Sequence, residues 1–326
     1  KYYRYNMEIN NIYYCENNII VDNGKLITKY NKEKERYILL DYFIIDKKEK
    51  NIKLYDETLE DSFIDTINKI GKIKDIIETK EKEITIIYED LKEVKIKLDE
   101  TNNIIGYMNN HVEIIYDKFL YYNYRLAKVN LTNVKKIGNC FLDYNQNLTE
   151  LNLENVQEIG DSFLYYNKLL KKIELPNVQE IENSFLFNNR ELKEINIENV
   201  QIIEDGFLYY NKSLTELNLP NVKKIGSKFL LFNEQLKKLN LPNVRKIGDD
   251  FLINNDGLIR LNLKNALEIG NHFLYYNESL RKLNLKNVLK IGYDFLYYNE
   301  SLSELNLENV KEREYCLLPF NKNLNI

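Results

Sequence analysis

A phenylalanine that returns every 22 residues constrains this chain more than any other feature. It stands at Phe119, Phe141, Phe163, Phe185, Phe207, Phe229, Phe251, Phe273 and Phe295, with Leu317 in the last position. Four residues after each of these an asparagine recurs without exception, from Asn123, Asn145 and Asn167 through Asn211 to Asn277, Asn299 and Asn321. A strict period of this length is that of a solenoid, in which each unit buries its apolar side only by stacking on its neighbours. Such arrays build surfaces. The period therefore says much about architecture and little about chemistry.

Residues 236–257 show how one unit is made. Leu239 and Leu241 flank Asn240 in a period-2 run, the pattern of a half-buried strand. Pro242 and Asn243 end it, because proline cannot continue a central ladder and asparagine favours turns. Val244 and Ile247 turn inward again, Gly248 permits a tight bend, and Phe251 with Leu252 forms the main apolar wedge. A unit this short holds one strand and a turn or short helical turn. The invariant asparagine reads as a buried ladder whose amide pairs with backbone groups left open by the turn, the alternative being a row that binds a ligand. Asn211, Asn277 and Asn299 also open Asn-X-Ser sequons, and a buried ladder would close them to glycans.

The pattern Leu-X-X-Leu-X-Leu-Pro at Leu236 to Pro242, Ile247-Gly248, and the pair Phe251-Leu252 before a small polar residue resembles the BspA-like leucine-rich repeats of bacterial surface proteins. The likeness covers about residues 104–326. It departs in two ways, since that family usually has cysteine where this chain has asparagine, and usually runs one residue longer. The resemblance implies a leucine-rich-repeat solenoid of stacked short parallel strands, an adhesive or protein-binding role, and a secreted or cell-surface location. It carries over no catalytic residue.

Two regions are expected: an N-terminal α/β capping region over 1–103, and a solenoid of about ten units over 104–326. In the first, residues 18–30 read as a hairpin, with Ile19-Ile20-Val21 and Leu26-Ile27-Thr28 joined at Asn23-Gly24. Residues 36–45 and 53–55 read as strands. Helical spacing runs over 56–82 through Leu59, Phe63, Ile67, Ile70 and Ile77, with Gly71 as a possible break. Leu91, Val94, Ile96 and Leu98 resemble repeat strands. Every solenoid needs its first edge covered, which is the role expected of this region. At the other end the pattern degrades (Arg313 for Ile, Glu314 for Gly), either as a terminal cap or as an edge that packs on another chain or a further segment. The start at Lys1, without Met, is expected of a mature form or an excised fragment.

Composition narrows the function classes. A net charge of −4 lacks the basic footprint that phosphate counterion release requires, so nucleic acid is not an expected partner. No apolar run approaches the ~18–20 residues of a membrane span. Cys140 and Cys316 share a column eight units apart, roughly 38 Å at a strand spacing of about 4.8 Å, far beyond the ~7 Å reach of a disulfide; with Cys15 they are expected to be free thiols. Only two histidines occur, His111 and His272, and there is no phosphate-cradling glycine loop, Cys-X-X-Cys or His-Glu-X-X-His. No enzyme, metal or cofactor is expected, and any catalysis would have to reside in residues 1–103.

Function is expected on the concave strand face. Its central column is Asn130, Asn152, Glu174, Asn196, Asn218, Asn240, Asn262, Asn284 and Asn306, either a stabilising amide ladder or a polar strip that meets a partner. In the flanking columns Arg260, Lys264, Lys282 and Lys286 should gather on adjacent units, with Glu150, Glu154, Glu194 and Glu198 earlier along the face. Such segregation is either a solvated surface or a means of steering a partner of mixed charge. Tyrosine pairs such as Tyr121-Tyr122, Tyr165-Tyr166, Tyr275-Tyr276 and Tyr297-Tyr298 offer a second surface, or cover the flank of the core. The leading expectation is a non-enzymatic module that binds a protein partner through Arg260, Lys264, Lys282, Lys286, Asn218, Asn240, Asn262, Asn284 and the four glutamates. A self-associating surface protein and a carbohydrate-binding adhesin are the alternatives.

Overall fold

The computed structural model describes residues 12–15, 18–21, 37–40, 43–54, 62–100, 103–313 and 324. Each coil contributes a three-residue strand such as Lys238–Asn240 and, after a turn, a two-residue strand such as Lys246–Ile247. Both pair in parallel with the same segment of the next coil, at a constant offset: Lys238 faces Arg260, and Lys246 faces Glu268. The middle residue of the longer strand points inward and the outer two face solvent, as the period-2 pattern requires. Between the two strands Asn243 donates its Nδ2 to the Pro220 carbonyl of the coil before, at 2.8 Å. The same bond recurs from Asn133, which reaches the Asn110 carbonyl, to Asn309, which reaches that of Lys286. This second asparagine column, at the turn, fixes the spacing of coils from outside the core.

The third side of each coil is the expected turn, and no helical turn forms in it among the described residues. Alternate residues around each phenylalanine take left-handed φ angles, for example Asp250 (56°), Leu252 (58°) and Asn254 (54°). A non-glycine residue pays roughly 1–2 kcal/mol for that conformation, and the backbone bonds between coils offset it. Leu252 N donates to Phe229 O of the coil before, and Asp250 N and Asn254 N donate to Asn271 O and Tyr275 O of the coil after, all at 2.9 Å. The arrangement turns the phenylalanines inward as one buried column, with ring centroids 5.1 Å apart for Phe207–Phe229 and 5.2 Å for Phe229–Phe251. Gly248 is needed for a reason other than a special bend. A Cβ there would lie 2.5 Å from the carbonyl carbon of Gly226 in the preceding coil, so glycine permits the close approach of coils.

Before the solenoid, Ile73–Glu78, Glu83–Tyr88 and Glu93–Leu98 form an antiparallel meander. The last of these pairs antiparallel with Ile104–Met108, which in turn pairs parallel with Lys128–Asn130. One sheet thus runs from the meander into the coils. A six-residue helix, Phe63–Asn68, places Phe63 against Tyr107 at 5.3 Å and Phe119 at 5.8 Å, over the end of the phenylalanine column.

Several local expectations are corrected here. The helical spacing over 56–82 yields only Phe63–Asn68, and Ile73–Glu78 is a strand that leaves Ile77 exposed. Gly71, at φ +156°, breaks the run, and the β-branched isoleucines after it favour the extended state. Residues 93–98 form a meander strand and not a repeat strand, while Leu91 sits exposed in the turn before it. The single strand expected over 36–45 is two, Tyr37–Leu40 and Phe43–Asp46, paired antiparallel and followed by Asn51–Leu54. Asn18–Val21 is a strand, but its partner is Ile12–Cys15, and the expected hairpin arm at Leu26-Ile27-Thr28 lies outside the described residues. So do Cys316 and the degraded positions from Glu314 to Leu317.

Candidate functional site: the strand-face groove

The longer strands of five successive coils line a groove of about 1110 Å³ that runs from Glu194 past Asn218 and Asn240 to Arg260 and Lys282. Its floor carries the central asparagines. Asn240 donates Nδ2 to Asn218 Oδ1 at 2.7 Å and Asn262 to Asn240 Oδ1 at 2.6 Å, so the stacked-amide ladder exists over these three. Asn284 stands apart from it and instead accepts the Lys286 N–H at 3.2 Å. Glu174, the one departure from asparagine, takes Lys172 at 2.9 Å, and that hydrogen bond raises the lysine pKa.

Charge along the first flanking column is mostly self-neutralised between neighbouring coils. Lys128 meets Glu150 at 2.6 Å, Lys172 meets Glu194 at 4.0 Å, Glu216 meets Lys238, and Lys282 meets Glu304 at 2.6 Å. The column has nine members, so one is left over. It is Arg260, which has no ion pair among the described residues. Lys264, Lys286 and Arg281 nearby are also without one among those residues, as is Glu198 at the opposite end. Of the residues expected to bind a partner, Arg260, Lys282, Glu194, Glu198, Asn218, Asn240 and Asn262 line the groove. Glu150, Glu154, Lys264, Asn284 and Lys286 lie on the same face outside it. Sequence reasoning missed Ile259, beside Arg260 in the groove and 55% exposed. Its signal was an isoleucine in a column otherwise occupied by alanine, threonine, lysine, arginine and serine.

Elsewhere the side chains mostly satisfy one another. In the buried column Asn211 donates Nδ2 to Leu186 O at 2.9 Å and to Tyr209 O at 3.2 Å, and the same pair of bonds recurs from Asn145 to Asn299. Asn211, Asn277 and Asn299 are fully buried, so their sequons are closed. The tyrosines stack along the flank: Tyr275 on Tyr297 at 4.6 Å and Tyr276 on Tyr298 at 4.7 Å, each pair within 6° of parallel. In these two pairs the ring faces that a sugar would need are taken by the neighbouring ring. One member of this flank is anomalous. Asp143, in the column that holds Tyr121 and Tyr165, is 3% exposed and accepts the Tyr165 N–H at 2.9 Å. Burial pushes its carboxyl up to about 8, and burial likewise raises the thiol of Cys140 beside it. His272 holds Asp250 at 2.7 Å in the stacked column next to the phenylalanines. Among the described residues no group of three His, Cys, Asp or Glu is placed to hold a metal, and no helix is long and apolar enough to cross a membrane.

Stacked 22-residue coils with an inward Leu-X-Leu strand and a parallel ladder on the open face define a leucine-rich-repeat solenoid. Residues 99–207 and 203–324 match the BspA type leucine rich repeat region, and the chain belongs to that family. This membership points to a protein-interaction or surface-protein role. No curated protein matches the chain. Among solved structures it is similar to a leucine-rich repeat protein from Bacteroides ovatus (14% identity, TM-score 0.34, covering 64% of this chain and 85% of that one). It is similar also to a leucine rich cell surface protein from Faecalibacterium prausnitzii (14% identity, TM-score 0.37, 73% and 94% covered). A third, a leucine-rich repeat protein from Eubacterium ventriosum, shares 18% identity at a TM-score of 0.33, with 69% and 70% covered.

Proposed function

We propose that this chain is a non-catalytic recognition module that docks a protein partner in the strand-face groove, with residues 1–103 serving as the cap of a repeat module over 104–326. The observation that carries the reading is the unpaired Arg260, left exposed mid-face where its column is otherwise neutralised coil by coil. A column of nine leaves one charge over, and here it is a guanidinium, whose forked donors stay open for a ligand. Membership of the BspA type repeat family supports a protein as the partner.

The test is reversal of Arg260, Lys264, Lys282 and Lys286 to glutamate. All four are exposed, so the coils should stack unchanged. Peptides selected from a displayed random library against the native chain are expected to lose at least about tenfold in affinity, or about 1.4 kcal/mol, on the fourfold variant. Binders that hold the variant as tightly as the native chain would remove the groove as the docking face.

A further inference from the structure

Resting on that docking face, we infer that the groove takes an extended acidic segment, with a carboxylate on Arg260 and an adjacent apolar side chain on Ile259. The two groove ends differ in sign. Glu194 and Glu198 stand with Lys193 at one, and Arg260, Arg281 and Lys282 at the other. Lys282 is satisfied by Glu304 and Glu194 by Lys172, and at the acidic end Lys193 offsets Glu198 in charge, while Arg260 and Arg281 have no ion pair among the described residues, so the net uncompensated charge is positive and lies at the basic end. A guanidinium with all its donors open selects a planar carboxylate, which it can grip with two parallel bonds. A lysine column would have accepted any anion as a point charge.

Ile259 supplies the second half of the recognition. Its column runs Ala127, Thr149, Lys171, Lys193, Thr215, Lys237, Ile259, Arg281 and Ser303, and among these Ile259 is the large apolar residue. More than half of its surface faces the groove and solvent, with cations on both sides. An apolar anchor ringed by complementary charge is the arrangement in which a small contact yields both affinity and register. The floor beneath it is polar and already knitted together by the Asn218–Asn240–Asn262 bonds. An occupant therefore lies across the amide row and need not replace it.

Groove length limits the occupant. Five coils at about 4.8 Å per step span roughly 19 Å, which an extended chain crosses in about six residues. Charge orients that segment as well. Its acidic part belongs over Arg260 and Arg281, and its opposite end, over Glu194 and Glu198, should be neutral or basic.

The probe is a set of displayed libraries of short peptides that mix aliphatic positions with Asp/Glu, with Lys/Arg, or with Ser/Gln. Binders are expected from the acidic library, weakening as salt rises. They should lose about tenfold in affinity on Arg260→Gln and severalfold on Ile259→Ser, two exposed sites whose substitution leaves the core alone. Acidic binders indifferent to Arg260→Gln would overturn the inference. Binders drawn from the neutral or basic library that nevertheless fail on the fourfold glutamate variant would also overturn it, while leaving the docking face intact. Binders indifferent to every groove substitution would remove both.

Discussion

Two asparagine columns run along this solenoid, one inside the aromatic turn and one on the open strand face. The interior column is unbroken from Asn123 to Asn299, and its Nδ2 atoms hold carbonyls of two coils. The face column tolerates Glu174, links amide to amide over Asn218, Asn240 and Asn262, and at Asn152, Asn196, Asn284 and Asn306 accepts from local backbone. The same side chain is thus a requirement in one place and a preference in the other. The difference is water: a buried carbonyl has no substitute partner, and an exposed one does. Exchanging asparagine and aspartate, which swaps a donor for a charge at nearly constant shape, turns that difference into measurements.

The largest effect should come from Asn211→Asp. Both donated bonds, to Leu186 O and Tyr209 O, disappear, and a buried carboxylate then faces two carbonyl oxygens. The Oδ1 of Asn211 already has no partner among the described residues, so the new oxygen finds no relief. Two unpaired buried groups at about 1–3 kcal/mol each put the loss at about 2–6 kcal/mol, read as a lower urea midpoint and as faster amide exchange in the coils on either side. A cost below about 1 kcal/mol would mean that the amide does not carry the turn.

Asp143→Asn runs the exchange in the opposite direction, at a buried site of the flank. Its folded carboxyl is raised from 3.8 to about 8, so the folded chain keeps a proton that the unfolded chain releases. The stabilising effect of that proton is complete below about pH 4 and is lost as pH rises toward 8. Asparagine resembles the protonated acid and does not titrate. The variant should match the native chain near pH 4 and exceed it by about 2 kcal/mol at pH 9. Each tenfold difference in proton affinity between folded and unfolded chain is worth about 1.4 kcal/mol, and relaxation and water entry reduce the sum. Parallel stability curves from pH 4 to 9 would show that Asp143 is ionised throughout.

The coil was legible in the sequence because its demands repeat. Phe207 and Asn211 recur at fixed spacing, and one unit read correctly serves for all. Asn243 and its column repeat as strictly, but the sequence pattern marks them only as turn formers, although each bonds to the coil before. The meander was hidden because Ile70 and Ile77 prolong the stripe of Phe63 and Ile67 beyond the helix that ends at Asn68. A strand covering an edge obeys the sheet it joins, and its local spacing is overruled. At the groove the charged columns could be written down from the sequence. What could not be read was which charge remains unpaired, since that depends on the register of Lys238 with Glu216 and of Lys282 with Glu304. The aromatic column hid Asp143 for a related reason, because a single aspartate on a surface-like flank gives no sign that its neighbours bury it.

Asn284→Asp should have the smallest effect, and it separates stability from recognition. Asn284 is exposed, its Oδ1 accepts the Lys286 N–H, and its Nδ2 donates to nothing among the described residues. Aspartate keeps that acceptor and adds a charge between Lys282 and Lys286, where water screens it. The stability change should stay within about 0.5 kcal/mol, an order of magnitude below that of the identical exchange at Asn211. A cost near that of Asn211→Asp would erase the distinction between the two columns. Binding should respond where stability does not. A carboxylate one coil from Arg260 repels an acidic occupant, so affinity for acidic peptides should fall severalfold at low salt and recover as salt is raised. A face column that took no part in binding would leave the affinity as flat as the stability.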